Sequence, residues 1–408
     1  MGEKMNFVIF DDEKRSNFFP ITLTRSTGDL RVGILKLRQR IISYLDLSET
    51  NVVISSDLEA VYKERHKTWK INEVKDEETL FVNSRIKIEK NSKKAILNLQ
   101  KNECLVKDEI ILAARCIPKK NKITSENLNN LFSDLKRIKN SDINCWEYLW
   151  DFIGENAEYI KRDFNDVFYD KDNYFETELG TTVINPYNVW IGDGTVMKPG
   201  VVIDATEGPV VIDENVTIMS NAVIIGPAYI GKGSTIKVGA KIYEGTSIGP
   251  VCKIGGEVEE TIFQGYTNKQ HDGFLGHSYL GEWINLGADT NNSDLKNNYG
   301  SVSIYFYPQT KKINSKCNFL GAIIGDHSKT GINSTINTGT VIGIGCSLFG
   351  ADLLKNHIPS FNIGTGSKIV EYLLEEFLET AVLVKKRRNL KFSESEKELY
   401  SKIHKQVS

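Results

Sequence analysis

Residues 210–255 read VVIDENVTIMSNAVIIGPAYIGKGSTIKVGAKIYEGTSIGPVCKIG, and in them Ile212, Ile218, Ile224, Ile230, Ile236, Ile242, Ile248 and Ile254 recur at every sixth position. That spacing is too regular for a 3.6-residue helical period or a plain strand alternation, and it predicts a hexapeptide β-helix. In a triangular coil of short parallel strands the inward position repeats once per face. One aliphatic side chain fills the axis there, while Gly, Asn or Asp supplies the corners, where the backbone needs permissive φ. The ladder is core; it speaks for architecture and leaves the chemistry open.

A rung exposes an unpaired edge until the next rung covers it, so the pattern should continue on both sides. Upstream, Ile184, Trp190, Val196 and Val202 keep the spacing, with a slip of phase near Glu207, Gly208 and Pro209. Downstream, Leu280 and Leu286 are six apart, and Ile324, Thr330, Ile336, Ile342 and Leu348 form a second run. The coil is therefore expected over residues 178–351. It is interrupted at Glu257 to Gly276 and at Asn291 to Lys316, where surface loops carrying function are expected.

The 408 residues allow two or three domains. A net charge of −2 offers no electrostatic argument for a nucleic-acid or membrane partner. No apolar run reaches the length of a spanning helix, and no N-terminal stretch reads as a signal peptide, so a cytoplasmic protein is expected. The six cysteines are scattered without a C-x-x-C spacing, which argues against a zinc site or a disulfide framework.

In chain order, Asn6 to Phe10 reads as a first buried strand ending at Asp11 and Asp12, and Ile34, Leu37, Ile41 and Leu45 have helical spacing. Further strands are expected at Asn51 to Ile54, Thr79 to Val82 and Glu109 to Ala113, giving an α/β domain over residues 1–141. Ile143, Trp146, Leu149, Trp150, Ile153, Ile160 and Phe164 suit one amphipathic helix from Asp142 to Asp166, so residues 142–177 are read as a linker. Residues 352–408 read as a helical tail, with one helix over Lys368 to Glu379 and another from Leu383 onward. The Lys385, Lys386, Arg387, Arg388 cluster reads as a solvated face, with an anionic ligand as the minority alternative.

The string QHDGFLGHSYLGEWINLGADTNNSDLKNNYG, Gln270 to Gly300, places two histidines, several amides and five glycines in the break of the coil. HSYLGEWINLGA, then NNYG, then IIGDHSKTGINSTINTGTVIG resemble the acetyltransferase half of the GlmU family, the bifunctional bacterial enzymes that make UDP-N-acetylglucosamine. The N-terminal phrase from Phe10 to Arg38 is similar to the FDDxxRxxxxPxTxTRxxxDLRxGILxxR opening of GlmU-like sugar nucleotidyltransferases. The resemblance implies a left-handed β-helix, a homotrimer, and acetyl-CoA as acyl donor bound between neighbouring coils.

On the same resemblance His277 falls on the general base. An imidazole titrates close enough to neutrality to take the proton of an attacking sugar amine; the alternative is a histidine that pins a loop. Asn285, Asn298 and Tyr299, with Tyr279, fall on substrate-binding positions and Ala288 on one lining the CoA site. The segment between His277 and Asn285 is shorter than in the family, an insertion precedes Asn298, and NYDG has become NYG. The family's phosphate-binding Lys has no clear equivalent in Gly255 to Thr261.

In the N-terminal domain the resemblance implies binding of a nucleotide and a sugar phosphate, with Mg2+. The acidic Asp11, Asp12 stand in place of a glycine-rich phosphate loop, and Ser84 and Arg85 in place of the metal-binding Asp. Arg25 and Arg31 are the phosphate-binding candidates, and Asp11 and Asp12 the candidate metal ligands. Active transfer and a degenerate binding domain both remain open. The reading that follows is acyl transfer to an amino-sugar phosphate by the β-helix, with nucleotidyl transfer to a sugar-1-phosphate by the first domain. The alternatives are nucleotidyl transfer alone on a trimerising scaffold, or a non-enzymatic sugar-nucleotide-binding protein.

Overall fold

The computed structural model describes residues 6–407 apart from 48–49, 120–121, 172 and 174. The apolar N-terminal runs pair as β1 (Asn6–Phe10), β2 (Asn51–Val53), β3 (Lys70–Ile71), β4 (Thr79–Asn83), β5 (Glu103–Lys107), β6 (Ile110–Cys116) and β7 (Lys136–Lys139), in the order β3-β2-β1-β4-β6-β5-β7. The first four are mutually parallel, and their Val, Ile and Phe side chains are buried on both faces, as a sheet covered on both sides requires. Chain direction reverses at β6.

The isoleucine ladder forms the spine of a parallel β-helix whose strands stack on three faces. Ile212, Ile230 and Ile248 stack on one face, Ile218, Ile236 and Ile254 on the second, and Ile224 and Ile242 on the third, all essentially inaccessible. The sixfold spacing is thus three faces of an eighteen-residue coil.

Upstream the register differs by one residue from the expectation. Ile191, Met197 and Ile203 stack beneath Ile212, Ile218 and Ile224, and Val183 lies beneath Ile203. Ile184 and Val196 point outward and are 43% and 37% exposed. Neighbouring positions there are both apolar, so alternation does not say which one faces in, and a slip of one residue exchanges the faces.

The segment Glu257 to Gly276 is not a surface loop. Val258 stacks on Ile242, Phe263 on Ile248, Lys269 on Ile254 and Leu275 on Val258. The coil continues with corners shortened by one or two residues, and this breaks the count of six without breaking the stack. Lys269 occupies an axial position, where its ammonium donates to the carbonyls of Gly255 (2.9 Å) and His271 (3.1 Å).

The true excursion leaves after Asn292 and returns at Ala322–Ile324. Its hairpin, Ser303–Phe306 with Lys311–Asn314, buries Val302, Ile304 and Phe306 against Trp146, Leu149 and Trp150. The linker helix spans Leu149–Asp163, shorter than expected at its start, and ends in a wide turn over Phe164–Phe168. On its buried side, Asn156 accepts from the Gly33 amide (2.7 Å) and donates to the Gly245 carbonyl (2.7 Å), joining the two domains through one side chain.

The coil outlasts residue 351, since His357–Ile358 and Asn362–Gly364 add to two faces. Ile369–Glu371 is a strand antiparallel to the latter, and the two terminal helices follow as Leu374–Lys386 and Glu394–Val407. Glu375 and Glu376 in the first turn favour a helix start at Leu374. The last helix returns to the N-terminal domain, where Leu399, Tyr400 and Ile403 share one core with Leu58, Val61 and Tyr62. No helix among the described residues is long and apolar enough to cross a membrane.

Candidate active site

His277 sits at the corner between Phe274–Gly276 and Tyr279–Glu282, with φ of 45°. Its Nδ1 lies 2.8 Å from Asp294 Oδ2 and its ring stacks on Phe319, with centroids 5.0 Å apart. The side chain is 18% exposed, so the imidazole is held on two sides and open on another. A carboxylate on Nδ1 fixes that nitrogen as the proton carrier and leaves Nε2 as the base. Glu260 occupies the corresponding corner one coil earlier, also with positive φ, and burial, with Glu244 and Glu259 nearby, pushes its carboxyl up to about 7. Gly276 is required beside this pair: a Cβ there would run into the Asp294 carboxylate and the Phe274 ring.

Asn285 lies on a different face, paired between Asn268 and Lys329. It lines a groove of about 410 Å³ together with Lys253, Lys329, Arg387 and Arg388, and no carboxylate lines that groove. Arg388 donates to Asn268 Oδ1 (2.7 Å). Burial lowers Lys329 to about 8, and burial, then the neighbouring cations Arg388, Lys237 and Arg387, lower Lys253. Four cations without a counter-charge suit an anionic group such as a phosphate. The basic cluster after Leu383 is therefore not a uniformly solvated face: Arg387 and Arg388 line the groove, and Lys385 is buried against Glu396 at 2.7 Å.

Asn298 lies on a separate cavity of about 530 Å³ within the excursion, and Tyr299 is 72% exposed. Ala288 is at a third corner, its carbonyl accepting from the Asn333 amide at 2.7 Å. Tyr279, expected on substrate, is wholly buried: its hydroxyl donates to the Arg31 carbonyl (3.0 Å) and accepts from the Arg31 amide and Gln264 Nε2. It pins the N-terminal loop to the coil. Within one chain His277 and Asn285 occupy different corners of the prism.

In the N-terminal domain, Asp11 is buried and accepts from Ser26 Oγ (2.9 Å), Ser84 Oγ (2.7 Å) and the Thr27 amide (3.2 Å), and burial raises its carboxyl to about 6. Asp12 takes two hydrogen bonds from Arg85 and one from Asn83. These donors do not fit Mg2+: a fixed guanidinium neutralises Asp12 where a dissociable cation would be needed. No cluster of three metal-ligating side chains occurs among the described residues. Arg31 packs over Tyr229 at 5.1 Å and donates to the Ile34 carbonyl, which commits it to the fold and not to an open phosphate site. Arg25 pairs with Asp326 and lies 3.5 Å from Glu282, both contributed by the β-helix.

Residues 7–170 match the family model described as sugar nucleotidyl transferase. The bifunctional protein GlmU of Synechococcus elongatus is 27% identical over 201 residues, covering 44% of this chain and 40% of that one. A bifunctional sugar-1-phosphate nucleotidylyltransferase/acetyltransferase of Sulfurisphaera tokodaii is 36% identical over 146 residues, 32% of this chain and 36% of that protein. The chain thus spans less than half the length of the curated relatives it matches. The solved UDP-N-acetylglucosamine acyltransferase of Campylobacter jejuni is 14% identical over 56% of this chain and 83% of that one, at a TM-score of 0.24, too distant to inform the site.

Asp294, Glu260 and the groove cations escape a reading of the sequence alone. Asp294 lies 17 residues beyond His277 across the break in spacing, and Arg387 and Arg388 return from the tail. Two short corners hide Glu260, which only a coil-by-coil count would have placed beside the histidine.

Proposed function

We propose that the protein acts in sugar-nucleotide biosynthesis, transferring an acyl group from acyl-CoA to an amino-sugar phosphate on its β-helix. The observation carrying this reading is the His277–Asp294 pair at a corner of the coil. In the reaction Nε2 of His277 takes a proton from the sugar amine as its nitrogen attacks the thioester carbonyl, and the tetrahedral intermediate collapses with loss of the CoA thiol. Asp294 holds the imidazole in the required tautomer and balances its charge once protonated. The basic groove beside Asn285 supplies a place for the acceptor's phosphate. Because His277 and Asn285 lie on different corners, the complete site needs a neighbouring copy, and a homotrimer supplies it.

Acetyl-CoA mixed with a panel of amino-sugar phosphates should release free thiol, and His277→Ala should abolish the release. Unchanged turnover in that variant removes the base. Light scattering that gives a monomer under assay conditions removes the shared site.

Nucleotidyl transfer by the first domain is the second reading, favoured by the family match to residues 7–170. Pyrophosphate release from an NTP and a sugar-1-phosphate tests it. With Asp12 neutralised by Arg85, this domain would have to bind any metal elsewhere, and binding without turnover is the form in which the domain would be degenerate.

A further inference from the structure

Of the six histidines only His327 is buried, with 2% of its surface exposed. It turns the corner between Ala322–Ile324 and Lys329–Thr330 with φ of 61°, and four rings enclose its imidazole. Trp283, at the corresponding corner one coil earlier, lies nearly parallel to it at 5.9 Å. Phe377, Phe392 and Tyr400 stand almost perpendicular, with centroids 5.8, 6.1 and 5.4 Å away. Phe377 belongs to the first terminal helix, Tyr400 to the last, and Phe392 to the turn between them. The ring is therefore the part of the coil on which the tail is seated.

Its Nδ1 has no hydrogen-bond partner. A neutral imidazole can leave one nitrogen idle in an apolar shell, but an imidazolium carries a charge and two donors that need acceptors. The surrounding charges supply none. Lys329 donates to the His327 carbonyl at 3.0 Å, Lys385 approaches from the first terminal helix, and Arg65 and Arg25 approach from the N-terminal domain. The nearby carboxylates are already engaged: Asp326 with Arg25 and Thr24, Glu396 with Lys385 and Arg65, and Glu282 with Arg25 at 3.5 Å. On the last helix, burial keeps the Tyr400 phenol protonated. Burial, and then Lys329, Lys385, Arg65 and Arg25, hold the His327 imidazole well below the usual histidine range.

We propose that His327 is an acid-sensitive latch, which seats the terminal helices on the coil while it is neutral and lets them go when it takes a proton. Proton and helices compete for the same ring, because the imidazole can be hydrated only once the aromatic shell has lifted. The first terminal helix ends at Lys386, and the residues that follow it, Arg387 and Arg388, line the basic groove beside Asn285. Release therefore takes two of the groove's four cations with it. The latch stands on this junction alone; only its consequence for acyl transfer rests on the acyl-transfer reading.

The sign follows from linkage. Seated, the ring titrates below its ordinary 6.5, so seating is undiminished above pH 6.5 and weakens as pH falls below it. A proton that enters only the released form raises the released population about tenfold between pH 7.5 and pH 5.5. His404, on the last helix, lies 3.1 Å from Glu371, and a proton there tightens the contact, an effect of opposite sign.

Hydrogen exchange of the full-length protein at pH 7.5 and pH 5.5, corrected for the intrinsic pH dependence of exchange, tests the latch. Protection of Leu374–Lys386 and Glu394–Val407 should fall about tenfold at the lower pH, while the coil strands Thr217–Ile218 and Val223–Ile225 keep theirs. In His327→Gln, and in His327→Phe, which keeps an aromatic ring in the shell, the protection of the helices should be the same at both pH values. His404→Gln should retain the fall. Helices equally protected at both pH values in the unaltered protein overturn the proposal, as does a fall that persists in His327→Gln or one shared evenly by the coil. Loss of the fall in His404→Gln also overturns it, because the proton would then act at that residue.

Discussion

Asp326, in a turn of the β-helix, accepts hydrogen bonds from Arg25 and from Thr24, 301 and 302 residues earlier in the chain. Both carboxylate and guanidinium are nearly inaccessible, 3% and 5% exposed. Removing one partner of such a pair leaves an uncompensated buried charge, so Asp326→Ala should destabilise the protein by about 3–5 kcal/mol. Denaturant unfolding of the single variants and of the Arg25→Met, Asp326→Ala double variant checks this. The double variant should lose less than the sum of the singles.

In the acyl-transfer reading Asp294 acts through His277 and does not touch substrate. His277→Ala should lower the rate of thiol release by roughly 10²–10⁴-fold. Asp294→Asn should lower it less, reducing kcat at nearly constant KM and moving the acid limb of the pH–rate profile. A purely structural Asp294 would leave that limb where it is.

Gly276 offers a test that changes no functional group. A methyl in its place meets the Asp294 carboxylate and the Phe274 ring. Gly276→Ala should therefore cost about 1–3 kcal/mol of stability, as overpacking does, and turnover should fall together with it. Thermal unfolding beside the thiol assay separates the two effects.

The raised carboxyl of Glu260 makes stability depend on pH. Its ordinary value is 4.5 and burial lifts it to about 7, so between those values the folded protein binds the extra proton. Stability from this group is undiminished below pH 4.5, falls as pH rises from 4.5 to 7, and stays lowered above 7. Glu260→Gln should be close to neutral near pH 4.5 and stabilising, on the order of 1 kcal/mol, at pH 8. Melting curves at the two pH values show whether the gain appears only at the higher one.

The architecture was legible because the ladder from Ile212 to Ile254 obeys a single steric rule, one aliphatic residue per face. That rule also explains where the reading strayed. At Trp190 and Val202 both alternating positions are apolar, so the pattern lost its polarity and the inferred register slipped by one. From Glu257 to Gly276 the corners shorten, and an axis holding Lys269 no longer looks like core. His277 could be singled out from the residues around it, but its partner Asp294 could not, because an excursion of irregular length decides what comes near it. Arg25 and Arg31 show the opposite limit: a cation near a nucleotide-binding type of loop reads as a phosphate ligand, and only the coordinates reveal Asp326 and Tyr229 waiting for them.

The final helix, Glu394–Val407, closes over Leu58, Val61 and Tyr62 near the start of the chain. On the ribosome that apolar patch therefore stays bare until some 340 residues more have been made, roughly 20–70 s at ordinary elongation speeds. Throughout that interval the nascent N-terminal domain exposes apolar side chains of the kind that make folding intermediates prone to associate.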